Sequence, residues 1–325
     1  MGFLYSQLFK SLPVPSGSYT GKTIIVTGSN SGLGKEAARH VARLGPHRLI
    51  LAVRDEEKGE QAKRDIESNT TGVTLPPGTI QVWKLDMGSY ESVKQFAGRV
   101  TAELDRVDAV LLNAGINPSA FKIVEQDEST VTVNVVSTFL LVCLLMPKLK
   151  AAAGRFNIRP NVTITASAVH AWPKFPQQDA GEGQIFKEIT ADAGRNFNSD
   201  EQYWLSKLLE VYAVRALAER HPADRLPVTV NCINPGLCQS GLFRDRGWGY
   251  AIFCALIART CENGSRTLVH AAEQGAESHG GYLDDCELTP PAPNVTSERG
   301  KIAQDRVWGE LVKKLEAIQP GVTNF

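Results

Sequence analysis

The chain has 325 residues, 42% of them hydrophobic, which suits one large α/β domain. Its 35 basic and 35 acidic side chains leave no formal net charge, which excludes a global electrostatic pull toward nucleic acid or an anionic membrane surface. The six cysteines (Cys143, Cys232, Cys238, Cys254, Cys261 and Cys286) form no Cys-x-x-Cys pair and have no histidine at ligand spacing, so neither a disulfide framework nor a metal site is expected.

Residues 1–20 read as an N-terminal extension with a short apolar patch (Phe3, Leu4, Tyr5, Leu8, Phe9). The patch lacks the basic start and long apolar core of a signal peptide, and no run approaches the ~20 apolar residues of a stable membrane span. A cytoplasmic protein is expected. From Lys22 onward, apolar runs of strand length alternate with segments of helical period. The strands fall at residues 23–27, 49–53, 80–85, 109–112, 161–165 and 228–233. β-Branched residues on both faces of the first run, Thr23 to Thr27, mark a fully buried strand. Strands separated by crossover helices give a parallel sheet, so the predicted fold is a Rossmann-type doubly wound α/β sheet in three layers.

A helix over residues 129–149 is apolar on most sides, which buries it in the core or at a subunit interface, and Asn134, Ser137 and Thr138 interrupt it. Residues 168–198 form a long polar connection, an insertion of the kind that often carries function. Residues 238–262 mix aromatics, Arg and Gly as a substrate lid would. A tail over 290–325 carries a helical pattern at 297–318 after Pro290, Pro291 and Pro293. The whole, 1–325, is read as a single catalytic domain.

Thr27-Gly28-Ser29-Asn30-Ser31-Gly32-Leu33-Gly34 directly follows the first strand and opens a helix. Glycine accepts positive φ and lets a phosphate approach the backbone, while a helix N-terminus favours negative charge. Leu112-Asn113-Ala114-Gly115 ends the fourth strand, and a Pro235-Gly236 turn follows the sixth. Tyr203 and Lys207 stand four apart on a helix that Ser199 to Gln202 would open as a capping box, so their side chains share a face. An ammonium beside a phenol stabilises phenolate and brings its pKa of about 10 toward working pH, which suits proton exchange with a ketone or alcohol oxygen.

Thr-Gly-x-x-x-Gly-x-Gly, Asn-Ala-Gly and Tyr-x-x-x-Lys in this order resemble the short-chain dehydrogenase/reductase family over nearly the whole chain. Gly-Ser-Asn-Ser-Gly-Leu-Gly, Val-Arg-Asp and Asn-Pro-Gly look most like its retinol-dehydrogenase-like branch, and the overall character is similar to fungal reductases that tailor secondary metabolites. The resemblance implies Tyr203 as acid/base, Lys207 as its tuner and ribose ligand, Ser167 as the hydroxyl on the substrate oxygen and Asn134 as the proton relay. Thr165 is the competing hydroxyl, the family's first hydroxyl is replaced by Ala166, and the gap between Ser167 and Tyr203 is longer than in most relatives. The implied cofactor contacts are Gly28, Ser31, Gly32, Leu33, Gly34, Lys35, Arg54, Asp86, Met87, Asn113, Ala114, Gly115, Tyr203, Lys207, Pro235 and Gly236.

Val53-Arg54-Asp55 ends the second strand with Val where an NAD-binding chain places an acid and Arg54 next to it, and Lys35 adds a second cation, so NADP(H) is favoured. Asp55 is the rival as a ribose ligand, or else caps the next helix. Trp172, Phe175, Trp204, Phe243, Trp248 and Tyr250 suggest a bulky apolar small-molecule substrate, while His170 reads as a satisfied core or surface side chain. The expected reaction interconverts a ketone or aldehyde and an alcohol, with reduction favoured. Alternatives are a non-redox cofactor-binding protein or cyclase on the same fold, and a membrane-associated retinoid-type dehydrogenase. A homodimer or homotetramer is compatible with the sequence.

Overall fold

Thr23–Thr27 (β1) is buried at every position, and it lies at the centre of a parallel sheet because each of its faces needs a layer of helices. The computed structural model describes residues 3–70, 73–239, 241 and 257–325. The other parallel strands are Arg48–Val53 (β2), Ile80–Lys84 (β3), Ala109–Leu112 (β4), Asn161–Thr165 (β5), Thr229–Asn234 (β6) and Tyr282–Asp284 (β7). Glu287–Thr289 (β8) turns back antiparallel on β7. Among the described residues the sheet order is β8-β7-β6-β5-β4-β1-β2-β3. The order reverses between β1 and β4, which opens a crevice at the carboxyl ends of those two strands.

Among the described residues the longer helices are Phe3–Phe9 (α1), Gly32–Arg43 (α2), Glu56–Ser68 (α3), Tyr90–Glu103 (α4), Ser137–Phe156 (α5), Ile185–Arg195 (α6), Ser199–Arg220 (α7), Cys261–Ala272 (α8) and Glu298–Ile318 (α9). One half of the core packs α4, α5, α7 and α9 on the sheet, and the other half packs α2, Ile66 of α3 and α8. The predicted apolar helix is present but differs in detail. It begins with a π-helical stretch, Val131–Val136, and α5 runs seven residues past the expected end to stop at a left-handed Asn157. The segment Val131–Phe156 is long and apolar enough to cross a membrane, yet 83% of its most apolar window is buried inside the fold.

The 168–198 connection is more ordered than its composition suggests. It carries two short 3-10 turns, Ala168–Ala171 and Pro176–Asp179, and then α6, which buries Ile185, Phe186, Ile189 and Ala193. Glu310 of α9 holds the first turn of α6 by accepting from the amides of Ile185 (3.1 Å) and Phe186 (3.3 Å). The cap of α7 is Asn198, one residue before the expected capping box. Its side chain accepts from the amides of Asp200 and Glu201, while Ser199 donates to Asn117. Of the predicted lid, residue 240 and residues 242–256 lie outside the described residues, and Cys261 and Glu262 already belong to α8.

The N-terminal extension is tied to the far side of the crevice. Gln7 of α1 donates to the carbonyl of Leu237 at 3.0 Å and accepts from its amide at 3.1 Å. Ser6 donates to Asp285 at 2.6 Å, and Arg259 pairs with Asp285 at 2.7 Å while donating to the carbonyl of Ser6.

Candidate active site

The glycine loop and the Asn-Ala-Gly segment are built as one unit. Gly28 has φ +64°, and a Cβ there would stand 2.9 Å from the Cα of Ala114. A Cβ on Gly34 would meet the Asn113 side-chain nitrogen Nδ2 and the Gly28 carbonyl oxygen at 2.5 Å each. The Thr27 hydroxyl accepts from the amides of both Asn113 and Ala114 at 3.0 Å, and Asn113 donates back to the carbonyls of Thr27 and Gly28. Asn113 and Ala114 thus hold the loop in shape from below. At the loop's far end, Gly32 has φ +59° and Ser31 makes no side-chain cap on α2. With Leu33 and Gly34, they present the first-turn amides, which have no partner within the helix.

The catalytic candidates converge on the mouth of the crevice. Asn134 is fully buried in the π-helical stretch, accepts from the amide of Ile116 at 2.9 Å and donates to its carbonyl at 3.1 Å. It also donates to Ser206 at 3.0 Å, and Ser206 donates to the carbonyl of Tyr203 at 2.8 Å. The Lys207 ammonium lies 5.5 Å from the centroid of the Tyr203 ring, donates to the carbonyl of Thr165 at 2.8 Å and pairs with Glu210 at 2.9 Å. Gly115 fills the gap between them, since a Cβ there would lie 3.2 Å from the Asn134 oxygen and 3.9 Å from the Lys207 nitrogen.

Ser167 stands half-buried at the exit of β5 and caps the turn that follows. The Thr165 hydroxyl, the competing one, is buried with no hydrogen-bond partner among the described residues. His170 is a satisfied core side chain: its Nδ1 lies 2.7 Å from the Ser167 carbonyl, and its Nε2 accepts from the Ala292 amide at 3.0 Å. Burial pushes its pKa below the usual histidine value, against the backbone bond that raises it. A residue the sequence reading passed over is Asn234, which accepts from the amides of Ala168 and Gly236 and donates to Asp284 at 2.8 Å. It joins the Ser167 turn to Pro235-Gly236, and its place just before Pro-Gly was the available signal.

The cation pattern is revised. Arg54 is exposed at the end of β2, and Asp55 caps α3 by accepting from the Lys58 amide at 3.1 Å. Lys35 is turned away to Asp65 at 2.7 Å, and Arg39 joins the same carboxylate at 2.6 Å. Hydrogen bonds from these two hold the Asp65 carboxyl down at about 2. The cation beside Arg54 is Lys84, opposite Val53 in register, which donates to the Arg54 carbonyl. Asp86 accepts from the Gly88 amide at 2.9 Å to form a turn, and the Met87 side chain is buried in the core. Of the aromatic set, Trp172 and Trp204 stack edge to face at 5.3 Å, with Trp172 54% exposed. Phe175 instead packs in the core with Tyr212, since a left-handed backbone turns it inward. Phe243, Trp248 and Tyr250 lie outside the described residues.

Residues 22–158 match the family model for short chain dehydrogenases. The chain is 57% identical to a short chain dehydrogenase/reductase of Cryptosporiopsis sp. (strain 8999), over 100% of this chain and 99% of that one. This chain belongs to the short-chain dehydrogenase/reductase family. It is also 41% identical to a short-chain dehydrogenase of Penicillium roqueforti, over 99% of this chain and 84% of that one. Among solved structures it is similar to a short chain dehydrogenase of Escherichia coli CFT073 complexed with NADPH, with TM-score 0.56, 25% identity and coverage of 83% of this chain and 99% of that one. A protein from Mycobacterium paratuberculosis shares the fold, with TM-score 0.66, 23% identity and coverage of 94% and 96%.

The family is one of oxidoreductases that bind a nicotinamide cofactor. The residues here fit that group. The glycine loop leaves backbone close to the crevice, the α2 amides suit a pyrophosphate, and the buried Ser29 hydroxyl has no hydrogen-bond partner among the described residues.

Proposed function

We propose that this protein is an NADP(H)-dependent reductase that interconverts a ketone or aldehyde with an alcohol on a bulky apolar substrate, with reduction the favoured direction. The single observation that carries this reading is the convergence of Tyr203, Lys207, Asn134 and Ser206 beside Gly115 at the crevice mouth. The cofactor supplies or accepts the hydride when bound.

Tyr203 donates the proton to the carbonyl oxygen in reduction and takes it back in oxidation. Lys207 stabilises the phenolate side of that exchange, and its ammonium, which bonds Thr165 and both oxygens of Glu210, would trade one of the Glu210 bonds for a ribose hydroxyl. Ser167 orients the substrate oxygen. Asn134, anchored to Ile116, holds the proton path behind Lys207. Gly28, Ser31, Gly32, Leu33, Gly34 and the Pro235-Gly236 turn line the cofactor groove, with Asn113, Ala114 and Gly115 forming its floor. Asp86 and Met87 would contact the adenine.

The preference for NADP(H) rests on Arg54 with Lys84 beside it and on the absence of an acid at Val53. The NADPH complex of the E. coli relative supports it. The open Trp172–Trp204 pair supports a bulky apolar substrate, and the relatives' fungal sources support a place in secondary metabolism. We take the chain as one catalytic domain acting in the cytoplasm, with a homodimer or homotetramer as its assembly. The test is to mix the protein with NADPH or NADH and a panel of bulky ketones and follow nicotinamide absorbance. Turnover with NADPH, at a kcat/KM at least tenfold above that with NADH, is expected. No turnover with any ketone, or preference for NADH, would contradict it.

A further inference from the structure

Tyr203, Lys207 and Glu210 succeed one another along one face of α7, and the last of them is a carboxylate only 2% exposed. Its neighbours on the helix, Leu209, Val211, Tyr212 and Ala213, are apolar or aromatic and equally buried. An apolar side chain would be expected at such a position, since burying a carboxylate costs free energy and a lone buried ion pair seldom repays it. Glu210 is retained there against one partner. Both of its oxygens bond the Lys207 ammonium, at 2.9 and 3.1 Å, and the lysine's other bond, at 2.8 Å, goes to the carbonyl of Thr165, two residues before Ser167.

We propose that Glu210 is a positioning residue for the Tyr203/Lys207 pair, a buried carboxylate that fixes the ammonium against Thr165 and opposes the field the ammonium places on the Tyr203 phenol. This rests on the proposed function for the roles of Tyr203 and Lys207. The consequence is directional. A partly cancelled positive field leaves the phenol protonated to higher pH, which is the form that donates to a carbonyl. Glu210 therefore biases the pair toward reduction.

The groups that face Glu210 are few. On its own helix they are Lys207 and, one turn further toward the crevice, Tyr203. From β6 the Cys232 thiol faces it, pushed far up by burial and then by the Glu210 charge, with Arg215 and Lys207 pulling back. The turn after β5 packs on α7 and carries His170, whose imidazole is bonded to Ser167 and Ala292 instead, and the uncharged Asn134 of the π-helical stretch bonds Ser206. Burial raises the Glu210 carboxyl to about 7, against the Lys207 charge and hydrogen bonds. Its charge, and with it the bias, is therefore present above neutrality and fades as pH falls.

The test titrates the Tyr203 phenol directly in the full-length, cofactor-free protein by ultraviolet difference absorbance, with Tyr203→Phe in each background as the blank. Glu210→Gln is near-isosteric and removes the charge. It is expected to bring out the phenolate at about tenfold higher proton concentration, whereas Glu210→Asp titrates near the parent. The alkaline limb of kcat for ketone reduction should move by the same amount in the same direction. A titration that stays put, or moves to higher pH, overturns the proposal.

Should Glu210→Gln fail to fold, Glu210→Met, which also removes the charge and leaves Lys207 in place, replaces it. The phenolate must again appear at lower pH than in the parent, and an unmoved titration overturns the proposal. The two readings fail separately. Tyr203→Phe with undiminished turnover removes the proposed function, while a dead Tyr203→Phe alongside an unmoved Glu210→Gln titration leaves that function standing and reduces Glu210 to a core ion pair.

Discussion

The imidazole of His170 braces the turn that carries Ser167: Nδ1 lies 2.7 Å from the Ser167 carbonyl and Nε2 accepts the Ala292 amide at 3.0 Å. An amide can only donate, so Nε2 must carry the lone pair and Nδ1 the proton, and the ring is neutral in this arrangement. Protonating it breaks the bond to Ala292. A histidine whose folded pKa is lowered contributes stability that is present above its unfolded value of about 6.5 and is lost as pH falls below that value. The thermal midpoint should therefore fall between pH 7.5 and 5.5, and His170→Gln should flatten part of that fall while lowering the midpoint at pH 7.5. A pH profile identical in the variant would contradict this.

Asn134 grips both backbone groups of Ile116 from a fully buried position. Truncation leaves an amide, a carbonyl and the Ser206 hydroxyl without that partner. Asn134→Ala should cost about 2–4 kcal/mol in urea unfolding, since each unmade buried bond costs roughly 1–3 kcal/mol and some regain water. It should also lower kcat more than it raises KM. An unchanged urea midpoint would show that the side chain is dispensable.

Arg54 and Lys35 should separate in cofactor discrimination. Arg54→Ser is expected to raise KM for NADPH about tenfold or more and leave KM for NADH within about twofold, the loss of one charge-assisted phosphate contact. Lys35→Met should change the NADPH value little, because its ammonium is already held by Asp65 at 2.7 Å. Steady-state kinetics with both cofactors decides between them, and equal losses in the two variants would restore Lys35 as a phosphate ligand.

Gln7 makes two reciprocal bonds to Leu237 from a helix outside the family-matched residues 22–158. Gln7→Ala should release α1 from the Pro235-Gly236 turn and speed hydrogen exchange at the Leu237 amide by at least tenfold. The NADPH dissociation constant should rise with it. Unchanged exchange at Leu237 would mean the turn holds its shape alone.

The strands were legible because fully buried parallel strands leave continuous β-branched and aliphatic runs: residues 23–27, 109–112 and 161–165 carry their boundaries unchanged into β1, β4 and β5. The α9 helix was equally plain, since Ser297 caps it after a proline-rich link. Other features depend on distant partners that local pattern does not reveal. Lys35 reads as a free cation until Asp65, on the next helix, is brought beside it. The α6 helix is short and set in polar sequence, and it forms because Glu310, far along the chain, accepts its first amides. Phe175 reads as a pocket aromatic until a left-handed backbone turns it inward. Glu210 was hidden for the opposite reason, because Lys and Glu three apart on a helix look like an ordinary surface pair and only burial sets this one apart.

The central claim is that Tyr203 exchanges the proton while hydride passes to a bulky carbonyl, and comparing Tyr203→Phe with the parent under saturating NADPH tests it most directly. The account predicts that NADPH still binds with a dissociation constant within about twofold, and that kcat for ketone reduction falls about a hundredfold or more, the usual contribution of a positioned acid/base. Reduction that continues at the parent rate in Tyr203→Phe would contradict it.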